Sequence, residues 1–127
     1  NGFDISDFDV LRNPYAYHQF NPSCDEHRIL SEPFVIAEID FAHISSAPVQ
    51  NTKTMTASAS GVGHAVAVWF DLHLDDEEIF TTTSSLSRNR WYRTAHMLAQ
   101  DLPVQSGREF KLMLGYNDSH LIIENTR

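Results

Sequence analysis

The segment Glu109–Tyr116 constrains the fold most, because it alternates without interruption and puts Phe110, Leu112 and Leu114 on one face. A period of two is the mark of a strand with one face toward a core and the other toward water. Asn117-Asp118 follows as turn chemistry, and residues 120–124 resume the apolar pattern, so the spacing predicts a hairpin. A hairpin alone cannot bury its apolar face, so other strands must supply the opposing layer.

Those strands can be read upstream. Residues 64–74 form the longest alternating run, with His64, Val66, Val68, Phe70, Leu72 and Leu74 in even positions. Its odd positions, Ala65, Ala67, Trp69, Asp71, His73 and Asp75, become wetter along the chain. One long strand that leaves the core and emerges into water fits this gradient, and Asp75-Asp76 then turns the chain. Residues 34–41, after Pro33, place Phe34, Ile36 and Glu38 on one side and Val35, Ala37, Ile39 and Phe41 on the other, which predicts a further strand. Residues 52–60 read as a Thr/Ser-rich strand closed by a turn at Gly61-Val-Gly63. Residues 79–83 and 91–98 complete the set, separated by a polar loop at 84–89, and Leu102-Pro-Val-Gln-Ser-Gly107 contains a turn.

About seven strands at short spacing, with hardly any helix, predict an all-β fold: an antiparallel, barrel-like sandwich forming one domain over residues 1–127. A short N-terminal helix is expected over residues 5–11, with Ile5, Phe8 and Leu11 on one side and Asn13-Pro14 ending it. Residues 13–28 carry Tyr15, Tyr17 and Phe20 among prolines and polar groups and hold neither a strand nor a helix period. They read as an irregular excursion whose sticky side chains need a surface to lie on.

Charge and motifs narrow the chemistry. A formal charge of −8 repels phosphate, which argues against nucleic-acid and anionic-membrane binding and favours cationic partners such as arginine-rich peptides. No apolar run approaches the roughly 18 residues of a transmembrane helix. A single cysteine, Cys24, excludes an intrachain disulfide and points to a reducing cytoplasmic or nuclear compartment. The start, Asn1-Gly-Phe-Asp, lacks the regions of a signal peptide and reads like a cut inside a longer chain.

Gly61-Val-Gly63 lacks the third glycine and the helix of a dinucleotide loop. Asp71, His73 and Asp75 alternate as metal ligands could, but nothing pairs with them, so they read as a solvated polar face and no metal is expected. Asp75-Asp76-Glu77-Glu78 reads as a charged turn, or as an electrostatic attractor for a cationic peptide. No nucleophile elbow is present, and nothing amounts to a self-contained active site. Trp91, between a polar loop and a strand, reads on its own as core or barrel rim.

Several segments, in order, resemble the C-terminal barrel of the protein arginine methyltransferases. Asn1-Gly-Phe-Asp-Ile-Ser is similar to that family's Tyr-Gly-Phe-Asp-Met-Ser step into the dimerization arm. Residues 32–41 resemble its next strand, and His64-Ala-Val-Ala-Val-Trp-Phe-Asp-Leu resembles its long strand with a His-Ala-Leu start. Thr82-Thr-Ser-Ser and Asn89-Arg-Trp91 sit where the family has Ser-Thr-Ser-Pro and Thr-His-Trp, and Leu102-Pro-Val-Gln-Ser-Gly-Arg-Glu is similar to its turn before a strand. Leu72-His-Leu-Asp-Asp-Glu is closer to the branches that form symmetric-dimethyl or monomethyl products.

The resemblance implies a substrate-binding and dimerization barrel. A separate Rossmann-like catalytic domain would bind S-adenosylmethionine and grip the guanidinium with two glutamates, so this chain alone would bind no cofactor. It further implies that Trp91, Arg90 and Asn89 line the substrate groove, and that Tyr15, Tyr17 and Phe20 belong to a dimerization arm at residues 13–31. The implied partners are arginine-containing proteins, the catalytic domain and a second copy of the full-length protein. Arg90 and Asn89 replace the family's loop histidine and threonine, and Ser85 replaces its proline. A permanent cation cannot accept a proton, so a non-catalytic paralogue serving as a regulatory or interaction barrel is the alternative. An unrelated β-sandwich module binding carbohydrate or peptide is the third.

Overall fold

In the computed structural model, which describes residues 17–20, 26–44, 47–81 and 93–126, the backbone is built from antiparallel strands and contains no helix among those residues. The strands are β1 (Tyr17–Phe20), β2 (Val49–Thr56), β3 (Gly61–Val68), β4 (Asp71–His73), β5 (Ile79–Thr81), β6 (Arg93–Val104), β7 (Glu109–Tyr116) and β8 (Leu121–Asn125). They form a sheet in the order β1-β6-β3, a second in the order β2-β7-β8, and a separate β4-β5 ribbon. The all-β antiparallel class expected from the alternation is therefore the class observed. The expected helix at 5–11 lies outside the described residues.

The alternation of β7 decides where the core sits. Leu112 and Leu114 are buried on the face read from the sequence, and Phe110 packs beside them. Met55 from β2, Leu98 from β6 and Ile123 from β8 join them, with Val66 and Val68 of β3 and Leu102 of β6 at the margin. The two three-stranded sheets thus face each other across one apolar layer, and burying a leucine such as Leu112 there stabilises the fold by about 2 kcal/mol.

Two of the connections between the sheets, from β2 into β3 and from β6 into β7, are tied together. The turn from β6 into β7 closes with Arg108 N–H donating to Gln105 O at 2.9 Å, and Gly107 has φ 78°. A positive φ at the third position is what a type II turn requires, so glycine belongs there. Gly107 N–H donates to Ala57 O at 2.8 Å and Ser106 N–H to Ser60 Oγ at 2.9 Å, which binds this turn to the one from β2 into β3. In β6 the register with β3 jumps between Met97 and Leu102, where Gly63 and Ala65 are the partners. The extra residues bend β6 toward β8, and Asn125 Nδ2 donates to Gln100 O at 3.1 Å across that bend.

Several expectations are corrected. Residues 34–41 join no ladder, although Phe34 and Ile36 pack on the core as the alternation required. The side-chain pattern holds because burial drives it, while ladder pairing needs a neighbouring strand, and none of the described strands pairs with these residues. Gly61–Gly63 is not a turn; it opens β3, paired with Val104, Pro103 and Leu102. The long strand expected at 64–74 breaks at Trp69-Phe70 into β3 and β4. On its even face Val66, Val68 and Leu72 are partly buried, while His64, Phe70 and Leu74 are exposed; among the described strands β4 pairs only with β5. The strand expected at 91–98 runs on to Val104. Within the irregular excursion, Tyr17–Phe20 takes strand form because β6 offers it a partner.

Candidate functional site

Of the sequence-derived candidates, Tyr17 and Phe20 lie in β1, the strand paired with the N-terminal end of β6. β1 pairs with it residue for residue: Tyr17 with His96, His18 with Ala95, Gln19 with Thr94 and Phe20 with Arg93. On the other side of β6, Thr94 pairs with Val68 and Ala95 with Ala67 of β3. Tyr17 and Phe20, the arm candidates, therefore bracket a strand that sits at the edge of the barrel sheet. Arg93 is only two residues beyond Trp91, so the chain brings the end of the candidate groove loop to the strand that carries the candidate arm. Trp91, Arg90, Asn89 and Tyr15 themselves lie outside the described residues.

The other end of that loop leaves from β5, whose Thr81 pairs with Asp71 of β4. The β4-β5 ribbon is strongly acidic. Asp71, Asp75, Asp76, Glu77 and Glu78 are all exposed, and no lysine or arginine occurs between Lys53 and Arg88. Asp75 has a structural role: its Oδ1 accepts from Glu77 N–H at 2.8 Å and from Glu78 N–H at 2.6 Å. Those donors favour the ionised carboxylate and lower its pKa, the Glu77 bond contributing most. The alternating Asp71, His73 and Asp75 thus include one carboxylate committed to its own turn. Among the described residues no group of three His, Cys, Asp or Glu side chains is placed to hold a metal.

His96 of β6 is a further residue whose setting is informative. Its register partner Val66 packs against the core, so the imidazole shares the inner face of the sheet. Partial burial lowers its pKa by disfavouring the charged form. The sequence signal is its place two positions from Leu98, which is fully buried, on the same face of the strand.

Among the described residues, the segment with two closely spaced glycines does not take the form of a nucleotide-binding loop. Gly61-Val-Gly63 lies inside β3, with Gly63 against the backbone of Leu102, and cannot form the loop between strand and helix that cradles a nucleotide-like ligand.

Residues 2–124 match the family described as the arginine methyltransferase oligomerization subdomain. The chain is 32% identical over 120 residues to an arginine N(omega)-methyltransferase of Streptomyces achromogenes subsp. streptozoticus, an alignment covering 92% of this chain and 32% of that protein. It is also 26% identical over 110 residues to protein arginine N-methyltransferase 1.6 of Arabidopsis thaliana, covering 81% of this chain and 15% of that protein. This chain therefore spans about a third or less of the length of these relatives. It belongs to the arginine methyltransferase family through the C-terminal oligomerization subdomain.

Proposed function

We propose that this family member is the barrel that receives arginine-containing protein substrates and carries subunit association, while a separate domain binds S-adenosylmethionine and performs methyl transfer. The observation that carries the reading is the match of residues 2–124 to the family's oligomerization subdomain. The pairing of Tyr17–Phe20 with Arg93–His96 supports it, because it ties the arm candidate to the strand that follows the candidate groove loop. In this reading Trp91 walls the groove, with Asn89 and Arg90 beside it, and the acidic surface attracts cationic peptides before they dock. The barrel's contribution is positioning: a planar guanidinium must be held so that one nitrogen faces the methyl donor. The parent enzyme would act in the cytoplasm or nucleus as a homodimer.

The test is Trp91→Ala in the full-length enzyme. KM for an arginine peptide should rise about tenfold or more, as expected for loss of an aromatic anchor, while calorimetric donor affinity and the melting temperature stay unchanged. An unchanged KM would remove Trp91 from the groove. A second reading is favoured by Arg90, which stands where the family has histidine. If this is a non-catalytic paralogue, the wild type is inactive and Arg90→His restores turnover.

A further inference from the structure

His96 stands in the central strand of the β1-β6-β3 sheet, with Tyr17 of β1 as its register partner on one side and Val66 of β3 on the other. Val66 packs on the core, and Leu98, two positions along β6 and so on the same face, is fully buried. The imidazole is itself partly buried, and loss of water there penalises its charged form. A proton can settle on it only if water returns to it, which requires a neighbouring strand to give way.

The two neighbours of β6 are held very differently. β3 runs beside β6 from Gly61 to Val68 and sets Val66 and Val68 against the core. β1 is four residues long, is the outermost strand of its sheet, and among the described strands pairs with β6 alone. A short edge strand of this kind opens at a far lower free energy than the core strands. The other titratable and charged groups near His96 leave this choice unchanged. Along β6 they are Arg93, three positions before, and Asp101, five after and exposed. β1 brings Tyr17 and His18 by register, and β3 brings His64, which is exposed. In the facing sheet Lys53 and Tyr116 share the alternation of the core leucines, and Lys53 Nζ donates to Val35 O at 3.0 Å. Glu124 of β8 alternates with the core residue Ile123. Loss of water is the cause that moves the pKa of His96, so rehydration is the route to its charged form.

We propose that His96 is a proton-sensitive latch for β1: while the imidazole is neutral the strand stays paired with β6, and a proton taken from solvent releases it. The direction follows from linkage. As pH falls through the ordinary imidazole value of 6.5, the open form takes up a proton before the closed form does, so opening becomes easier. Asp40 and Asp75, held below 3.8, stay charged throughout this range and contribute nothing to it. Because β1 carries the arm candidates Tyr17 and Phe20, the latch would tie the arm's availability to pH. The latch itself needs only the pairing of β1 with β6, and it stands or falls apart from the functional reading.

The experiment is hydrogen exchange of the full-length enzyme at pH 7.5 and 5.5, expressed as protection factors so that the direct effect of pH on exchange chemistry cancels. Protection at residues 17–20 should fall severalfold at the lower pH. The ceiling is about tenfold, the gain from protonating an open imidazole one unit below its ordinary pKa. In His96→Gln, which keeps a polar side chain without the titration, that fall should vanish. If the glutamine variant does not fold, His96→Phe, apolar at an inner-face position, serves the same comparison. Equal protection of β1 at both pH values in the wild type overturns the latch, and so does an undiminished fall in the variant. A fall at Leu112 and Leu114 of β7 with β1 unchanged would place proton uptake in global unfolding alone and overturn it too. None of these outcomes bears on the functional reading, which the Trp91→Ala assay tests.

Discussion

Two hairpins of this molecule are closed by the same local device and end in opposite surroundings. At the β7–β8 turn, Asn117 Oδ1 accepts from Ser119 N–H and His120 N–H, both at 2.9 Å. At the β4–β5 turn, Asp75 Oδ1 does the same for Glu77 and Glu78. Yet β7 and β8 bury Leu112, Leu114, Ile122 and Ile123, while the other hairpin leaves Leu74 and Ile79 62% and 59% exposed. A side-chain oxygen that satisfies two backbone donors makes a turn anywhere. What separates the two is whether the strands carry an apolar face and find a second layer to lay it on.

The sharpest way to break the contrast is to remove the layer. Leu112→Ala should lower unfolding free energy by about 3 kcal/mol through lost burial and the cavity left behind, read as a fall in the urea midpoint. A loss below about 1 kcal/mol, the range of surface changes, would mean that β7 is not the centre of the core.

Gly115→Ala comes next. A Cβ at Gly115 would run into Val49 O and stand 2.7 Å from Gln50 Cα, both backbone atoms that cannot rotate away. The β2 strand would have to shift, at about 2 kcal/mol, measured by the same denaturation.

The turns then make a matched pair. Asn117→Ala should cost about 1 kcal/mol in global stability, the usual worth of lost hydrogen bonds. Asp75→Ala should leave the global transition unmoved and raise amide exchange only at Glu77 and Glu78. Equal effects on the global transition would dissolve the distinction between the hairpins.

The smallest effect separates interior from surface by pH. His96 has a folded pKa below its ordinary value, so the unfolded chain takes up a proton first as pH falls. Stability should begin to drop near pH 6.5 and level off once pH passes below the lowered folded value. Asp75 and Asp40 are also lowered, so what their turns contribute is lost only in acid, starting near pH 3.8. Urea midpoints at pH 7.5 and 5.5 should therefore differ in the wild type, and the His96-linked part of that difference should vanish in His96→Gln.

The candidate site was legible to a different degree from the core. The faces of β7 and the inward Phe34 and Ile36 followed from periodicity, since burial acts on side chains one at a time. Trp91, Arg90 and Asn89 rested on resemblance, because a loop residue's role depends on what stands opposite it. The break at Trp69-Phe70 and the register shift of β6 were hidden for a related reason: one arises where the chain passes to a new partner strand and the other where the register with β3 jumps, and no local period records either.

By itself, the sequence determined that this chain is an antiparallel all-β domain, through alternation and turn residues that act over a few positions. It also carried the family, in ordered segments spread along its length. Only the tertiary structure decided which strands share a sheet, where the register of β6 with β3 shifts, and which apolar side chains remain uncovered. Those outcomes depend on distant backbones competing for the same hydrogen bonds and the same dry surface, and that competition is settled when the layers meet.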